Sequence, residues 1–519
     1  MFPAPSRFAA AIIGWLYGSL WFALVVSPWL WPTLRSLFDH SPFVDALLLV
    51  FVWQWVAGVP SVGLGVLLHR GARLSPAARP FFAAASWVVI ELVRTNLPFG
   101  TPWALLGTGL AETPLAVQVA DIGGVYAVSF LAVLASALLV EIVRRPARPT
   151  WGWVASLFLP SAVLLGGLGY GALRLTEVRA QIAAAPTAKL ALVHADLAGA
   201  WQLDLGRALA SLRIHLELSP TRPDLDLIVW PENAVPVLLE ENPALIDRAR
   251  EVARSAPLLL GAQRISDDAR ISNLRAAAFL VGAEGIVAAY EKRRLLPLAE
   301  TSGTFGAGNL WMAAMSTDST SNLVLRAGRL RLAPLICYEA IYADLARASV
   351  RAGANLLVNL SNDTWLARTS GRDQHFLFMR LRAVELRRTL VRVANRGVTG
   401  VVSADGTVRV SARGNRPGAE IVTVPLLDRP TIYELYGDLF AGACALAVLV
   451  TLLATRFAKS RSRQANLAAP SRASTSGSVS PVVAESPAGS SSRSRTSMLR
   501  WPASRSCALR GLTPEASPR

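Results

Sequence analysis

Three short phrases in this chain place a chemically capable side chain directly after an apolar run. They are Leu227-Ile-Val-Trp-Pro-Glu232, Tyr290-Glu-Lys292, and Leu332-Ala-Pro-Leu-Ile-Cys337-Tyr338-Glu339. A carboxylate, an ammonium and a thiol make a working set for acyl chemistry. The carboxylate takes the thiol proton, the thiolate attacks an acyl carbon, and the ammonium stabilises the oxyanion while holding the carboxylate in place. Each residue alone has a plainer reading: Glu232 as a helix cap, Lys292 as a solvated surface lysine, Cys337 as core filler. Their shared position, each just past an apolar strand, is what argues for a site. Cys337 falls at a strand-to-helix turn, which exposes a side chain at a sheet edge and favours the thiolate beside a helix N-terminus. A second glutamate, Glu300, follows Lys292 by eight residues.

The elements that must position these residues read as alternating strands and helices. Apolar β-type runs recur at Lys189 to Val193, Leu227 to Trp230, Pro257 to Leu260, Ala276 to Val281, Ile286 to Tyr290, Leu332 to Ile336 and Asn355 to Asn359. Helical patterns lie between several of them, at Ala244 to Ser255, Ile341 to Ala352 and Gln374 to Arg388. Alternation of this kind predicts an α/β layered fold. The segment is roughly 260 residues long, the size of one substantial domain.

On either side of that domain the chain is far more apolar. Hydrophobic residues make up 52% of the whole and charged residues 17%, against about a quarter charged in soluble domains. Runs near the ~20 residues that cross a bilayer lie at Phe8 to Trp31, Ala46 to Leu68, Pro114 to Val143, Trp151 to Leu173 and Leu439 to Thr455. A shorter run, Pro80 to Val93, counts as a sixth span. With six spans, Arg7, the Arg70, Arg73 and Arg79 loop, the Arg144, Arg145 and Arg148 loop, and Arg456, Lys459, Arg461 and Arg463 all share one face. The positive-inside rule makes that face the cytoplasm and sends the large domain outward. The expected organisation is therefore spans 1–5 within residues 1–175, an extracytoplasmic domain at 176–436, span 6 at 437–456, and a basic, disordered cytoplasmic tail at 457–519.

The net charge of +17 does not point to nucleic acid, because the stretch from Arg456 to Arg519 holds eleven Lys or Arg and two Glu and so supplies +9 of it. No aromatic-interleaved basic face accompanies the charge. Of the three cysteines, Cys444 lies in an apolar run and Cys507 in the tail, leaving Cys337 alone in the domain. Neither a disulfide framework nor a metal or cofactor site is expected there.

Together these phrases resemble the apolipoprotein N-acyltransferase family, the membrane branch of the nitrilase or carbon–nitrogen hydrolase superfamily. Further motifs appear in order: Glu91-Leu-Val-Arg94, Phe99-Gly-Thr-Pro102-Trp103, Ser361-Asn362-Asp363-Thr364-Trp365, Gln374-His375, Arg382-Ala-Val-Glu385, Asn395-Arg-Gly397-Val-Thr399 and Tyr436-Gly437-Asp438. The resemblance covers roughly residues 10 to 456. It implies an α-β-β-α sandwich beside a multi-pass helical bundle, with eight spans in the family where six are read here. It also implies that Glu232 is the general base, Lys292 the oxyanion stabiliser and Cys337 the nucleophile. Glu300, Tyr338 and Glu339 match further functional positions, and Trp201 is similar to the tryptophan of a mobile substrate-facing arm. The implied partners are a membrane phospholipid as acyl donor, diacylglyceryl lipoproteins as acceptors, and the lipid bilayer, at the bacterial cytoplasmic (inner) membrane with the domain on the periplasmic side. Two other readings keep the same residues: a membrane-tethered amidase or nitrile hydrolase, and an inactive membrane scaffold.

Overall fold

The computed structural model describes residues 6–37, 41–97, 100–197, 205–265, 274–296, 322–366, 369–413 and 416–468. Among the described residues, thirteen strands lie between residues 187 and 425. They are β1 (Thr187–His194), β2 (Leu227–Val229), β3 (Val235–Leu238), β4 (Leu258–Ile265), β5 (Leu274–Gly282), β6 (Gly285–Glu291), β7 (Leu325–Ala327), β8 (Leu330–Ile336), β9 (Leu356–Asn362), β10 (Thr389–Asn395), β11 (Val398–Val402), β12 (Val408–Arg413) and β13 (Gly418–Pro425). One sheet runs β13-β1-β2-β4-β5-β6, with β3 also beside β4; the other runs β12-β11-β10-β9-β8-β7. The central pairs β1/β2, β2/β4, β8/β9 and β9/β10 are parallel.

Period-two alternation explains how the layers assemble. Leu190, Leu192, Leu227 and Val229 of the first sheet meet Ile336, Leu360, Val391 and Val393 of the second in one core. The intervening residues Ala191, Val193, Ile228 and Trp230 face the helices Leu205–Leu218 and Pro243–Ala253. Ala333, Leu335, Leu357 and Leu390 face the helices Ala343–Arg351 and Gly371–Leu386. Both faces of the central strands are thus buried, which is why they read as unbroken apolar runs. The result is the expected α-β-β-α sandwich.

Among the described residues, five helices are long and apolar enough to cross a membrane: Arg7–Val25, Pro42–Gly71, Ala120–Val143, Trp151–Ala184 and Leu439–Ala458. Their bounds differ from the sequence expectation in ways that have local causes. The first apolar run divides at Val26, and the helix Ser27–Leu37 starts afresh with Pro28 in its first turn, where a missing N–H costs nothing. The run beginning at Pro114 holds a separate turn, Pro114–Val117, before the long helix. That long helix is itself kinked where Gly124 takes φ +65°, and a Cβ there would come within 2.5 Å of the Tyr433 ring. The helix entering the domain continues past residue 175 to Ala184, and the last helix extends to Ala468. The expected tail beyond residue 468 lies outside the described residues.

The sixth apolar run is the helix Ala78–Asn96, 19 residues and so about 28 Å long at 1.5 Å per residue. Its buried charges have partners: Glu91 Oε1 accepts from the Leu106 N–H at 2.7 Å, and Arg94 Nη2 donates to the Ala104 carbonyl at 3.3 Å. The two side chains grip the segment after their own helix rather than forming an ion pair with each other.

The helix Gly371–Leu386 joins the membrane helices to the sandwich. On one side Phe22, Val26, Trp29, Ala57 and Trp103 share a core with Leu335, Leu357 and Phe378. Trp103 stacks on Trp29 with centroids 4.8 Å apart and donates through Nε1 to Gln374 Oε1 at 2.9 Å. Gln374 in turn donates to the Val25 carbonyl at 3.3 Å. Toward the other end of the helix, Glu385 Oε1 accepts from the Val125 N–H at 3.0 Å, and Arg387 Nη2 meets Asp121 Oδ2 at 2.7 Å.

Sequence reading missed β3, β7 and the four strands from β10 onward. In β10 an arginine, Arg392, interrupts the apolar pattern, yet every residue of the strand is buried. Its guanidinium is carried into the interior by polar partners from other strands, described below.

Trp103 is 5% exposed and touches both parts of the molecule. Trp103→Ala is expected to destabilise the chain by about 3–5 kcal/mol, read as an earlier unfolding midpoint in detergent. An unchanged midpoint would show that this junction carries little stability.

Candidate active site

The sequence places Glu232, Lys292 and Cys337 after β2, β6 and β8, and the sandwich brings these strand ends to one region. Lys292 Nζ donates to Glu232 Oε1 at 3.1 Å, with the two side chains only 1% and 6% exposed. The other oxygen, Glu232 Oε2, accepts the N–H of Asn362, the last residue of β9, at 2.9 Å. A buried ion pair is costly unless its remaining hydrogen-bonding sites are filled, and the Asn362 amide fills one of them. Because β9 lies beside β8, the same contact ties Glu232 to the strand that ends at Cys337.

Lys292 and Cys337 are fastened together by a different carboxylate. Glu339 Oε2 accepts from the Ile336 N–H at 2.7 Å and from Tyr290 Oη at 3.0 Å. Glu339 Oε1 accepts from the N–H groups of Arg293 and Arg294, at 2.5 and 3.1 Å. One fully buried side chain therefore clamps both flanks of Lys292 to both flanks of Cys337. Burial raises the Glu339 carboxyl above its ordinary range, against the pull of these backbone N–H groups and of nearby Lys292. Burial and the adjacent Glu339 charge also push the Tyr290 phenol well up, so it stays a donor.

Cys337 itself takes φ +52°, the left-handed region, a conformation that costs a non-glycine residue about 1–3 kcal/mol and clusters at functional turns. It opens a short 3-10 turn, Cys337–Ile341, rather than leading straight into the longer helix. Its carbonyl accepts from Asn359 Nδ2 and faces His375 Nε2, each at 3.3 Å. His375 Nδ1 lies 3.1 Å from Asp363 Oδ1, and Asp363 Oδ2 accepts from Arg392 Nη2 at 2.5 Å. Arg392 Nη1 also donates to Asn359 Oδ1, and Nε to the Val398 carbonyl. Burial alone would raise the Asp363 carboxyl; Arg392 and His375 outweigh it and hold the group well below the usual carboxylate range. Burial and the Arg392 charge push His375 down, with Asp363 opposing them. Gly397 is required beside this cluster, since a Cβ there would fall 2.3 Å from Asp363 Oδ2.

Tyr338, buried, sits near 3.2 Å from Thr101 Oγ1 and accepts from Tyr342 Oη at 3.0 Å. It thereby links the turn after Cys337 to the Thr101–Trp103 segment between membrane helices. Arg294 lies over the Tyr342 ring at 4.1 Å. Asn395 exchanges two hydrogen bonds of 2.7 Å with Leu197. This anchors the chain at Leu197; Trp201 and Glu300 lie outside the described residues. Among the described residues no group of three or more His, Cys, Asp and Glu is arranged to hold a metal ion.

With this geometry in hand, comparison with known proteins is direct. Residues 2–138 match the family model for the apolipoprotein N-acyltransferase N-terminal domain, and residues 189–435 match the carbon-nitrogen hydrolase model. An apolipoprotein N-acyltransferase of Geobacter metallireducens is 31% identical over 462 residues, covering 86% of this chain and 85% of the relative. One from Allorhizobium ampelinum is 32% identical, covering 80% of each chain. The chain belongs to the apolipoprotein N-acyltransferase family. Membership in this family of acyltransferases agrees with the sandwich fold of residues 187–425.

Reading the sequence alone gave no role to Asn359, Asn362, Asp363, His375 or Arg392. The available signals were an arginine inside an apolar strand and the polar run Ser361-Asn362-Asp363 at a strand end. Neither names a partner, because the partners lie on other strands and on a helix.

Two substitutions follow from these contacts. Glu339→Gln keeps the shape but turns an NH2 toward N–H donors, so it should cost at least about 1–3 kcal/mol, measured by denaturant unfolding; a neutral outcome would mean the clamp is not needed. Asp363, with its folded pKa depressed, contributes stability that is present above its unfolded pKa of 3.8 and lost as pH falls below it. Melting temperature followed from neutral pH down through that value should therefore drop, and Asp363→Asn should flatten the drop.

Proposed function

We propose that this chain transfers an acyl chain from a membrane phospholipid to the α-amine of an N-terminal S-diacylglyceryl-cysteine on a lipoprotein, through a thioester on Cys337. Glu232 takes the Cys337 thiol proton, and the thiolate adds to the ester carbonyl of the phospholipid. Lys292 receives the developing oxyanion. The N–H of Tyr338, held opposite the Cys337 carbonyl by the planar trans peptide, is the second donor. The tetrahedral intermediate collapses, the lysophospholipid alkoxide leaves with the proton from Glu232, and a thioester remains. The lipoprotein amine then attacks, Glu232 accepts its proton, and the thiolate departs to leave an amide. This two-step sequence predicts ping-pong kinetics.

The observation that carries the reading is the buried Glu232–Lys292 pair. It is tied through Asn362 to β9 and through Glu339 to the Cys337 turn. Removing both charges from water is costly, and an arrangement of this kind is found where chemistry uses it. The relatives named for this activity support the substrate assignment. Packing of the sandwich against helices long and apolar enough to cross a membrane supports a site that meets lipid-anchored substrates without extracting them into water.

In this reading Ala78–Asn96 is also a span, third of six in chain order, and the basic loops face the cytoplasm of a bacterial inner membrane. The domain of residues 176–436 then stands on the periplasmic side. Trp201 and Glu300 take the substrate-facing and supporting roles that the family resemblance implies.

The test is acyl transfer from labelled phospholipid to a diacylglyceryl-cysteine peptide. Cys337→Ala should abolish product, and Glu232→Gln should slow transfer by about 10²–10⁴-fold, the scale of lost general-base catalysis. Release of free fatty acid without peptide acylation would instead mark a hydrolase, and the absence of both in folded wild type would mark a scaffold.

A further inference from the structure

Four polar side chains close a ring through one atom of the nucleophile's backbone. The Cys337 carbonyl accepts from Asn359 Nδ2 at 3.3 Å and faces His375 Nε2 at 3.3 Å. From Asn359 the ring passes to Arg392, from Arg392 to Asp363 at 2.5 Å, and from Asp363 to His375 at 3.1 Å. Asn359, Asp363, His375 and Arg392 are each 0% exposed. They come from three elements: β9 with the turn after it, β10, and the helix Gly371–Leu386. Nothing in the transfer steps above uses these four side chains. Burying so many polar groups is costly unless they are paired. Asn359 Nδ2 also donates to the Leu335 carbonyl at 2.8 Å, and Arg392 to the Val398 carbonyl and Ser361. Two of the four, Asn359 and His375, reach the Cys337 carbonyl.

The position of that atom is what matters. Cys337 adopts a left-handed φ that an unrestrained cysteine would leave. Asn359 donates to its carbonyl, and so does His375 as the neutral Nε2–H tautomer, whose Nδ1 accepts from Arg392 Nη2 at 3.3 Å; together they hold the Cys337–Tyr338 peptide plane. Peptide planarity then fixes the Tyr338 N–H in the opposite direction, away from the ring and on the side where an acyl oxyanion must lie. A donor contributes to oxyanion stabilisation only when it is already aimed at the developing charge.

We propose that the Asn359–Arg392–Asp363–His375 ring is a positioning device that orients the Tyr338 N–H toward the oxyanion, with His375 as its decisive member. The ring does not touch substrate and does not take the thiol proton. The inference rests on Cys337 being the nucleophile, and the experiment separates failure of that reading from failure of this one.

Alkylation by iodoacetamide needs the thiolate but forms no oxyanion, whereas acylation by phospholipid needs both. The full-length protein in detergent would be followed by two readouts: the alkylation rate of Cys337 as a function of pH, and the burst of fluorescent lysophospholipid released without acceptor. His375→Leu should slow the burst by about 30-fold or more, short of the ~10²–10³ for losing an oxyanion donor outright. Its alkylation rate and pH midpoint should stay within about twofold of wild type. His375→Gln has an amide nitrogen the same number of bonds from Cα as Nε2, and should recover most of the burst; His375→Asn, one carbon shorter, should not. A parallel fall in burst and alkylation would overturn the proposal, because His375 would then act on the thiol or on the fold. A wild-type burst in His375→Leu would overturn it as well. If His375→Leu does not fold, the Gln and Asn pair decides the matter: equal bursts in the two would overturn it. Absence of both alkylation and burst in the wild type would instead defeat the assignment of Cys337.

Discussion

The site depends on a carboxylate that does no chemistry in the proposed steps. Glu339 has no water to solvate it, so its charge must be met by protein donors. Those donors are the Ile336, Arg293 and Arg294 N–H groups and the Tyr290 hydroxyl. They flank the nucleophile on one strand and the lysine on another, in different sheets. Satisfying one buried charge therefore fixes the distance between two segments that the hydrophobic core alone would leave free to slide. Apolar packing between the sheets is non-directional; this carboxylate supplies the direction.

The same constraint reaches into the membrane part through the helix Gly371–Leu386. That helix covers the outer face of the second sheet, and its first turn presents Gln374 to Trp103 and Val25 while His375 faces the Cys337 carbonyl. Neighbouring side chains on one turn thus grip the membrane helices and the nucleophile's backbone. Tyr338 adds a second link through Thr101. Cys337 is consequently fixed relative to the apolar helices, an arrangement that suits the proposed transfer between two bilayer-anchored substrates. A soluble hydrolase of the same sandwich has no such demand, since its substrate arrives by diffusion.

How much of this was legible in the sequence depended on whether a residue's environment was local. The strands β1, β2, β4, β5, β8 and β9 were readable because both faces of each are largely buried, and β6 because its run is apolar although Val287 is exposed. Glu232, Lys292 and Cys337 were readable because each interrupts such a run at its end. The bounds of the membrane helices were less so: Pro28 restarts a helix inside one apolar run, and Gly124 bends another, while hydropathy is indifferent to both. The strand β10 was missed for a more instructive reason. A mid-strand arginine reads as exposed, and only the presence of Asp363, Asn359 and the Val398 carbonyl makes its burial tolerable. Asp363 and Asn359 lie 29 and 33 residues away in sequence, so no local window centred on Arg392 contains them.

That miss also says something about what the domain invests in its site. An apolar residue at 392 would suit the strand and spare the desolvation of a guanidinium, and apolar replacements of buried ion pairs are often neutral or stabilising. The arginine instead pairs with Asp363 and donates to His375 Nδ1, which leaves the Nε2–H of His375 for the Cys337 carbonyl. Gly397 gives up a side chain to make room for the same carboxylate. Each of these choices is unfavourable or neutral for packing taken alone. They become coherent only when the quantity being optimised is the orientation of one peptide beside the nucleophile. Local sequence rules fail here because the polar groups answer to the site rather than to the strand that carries them.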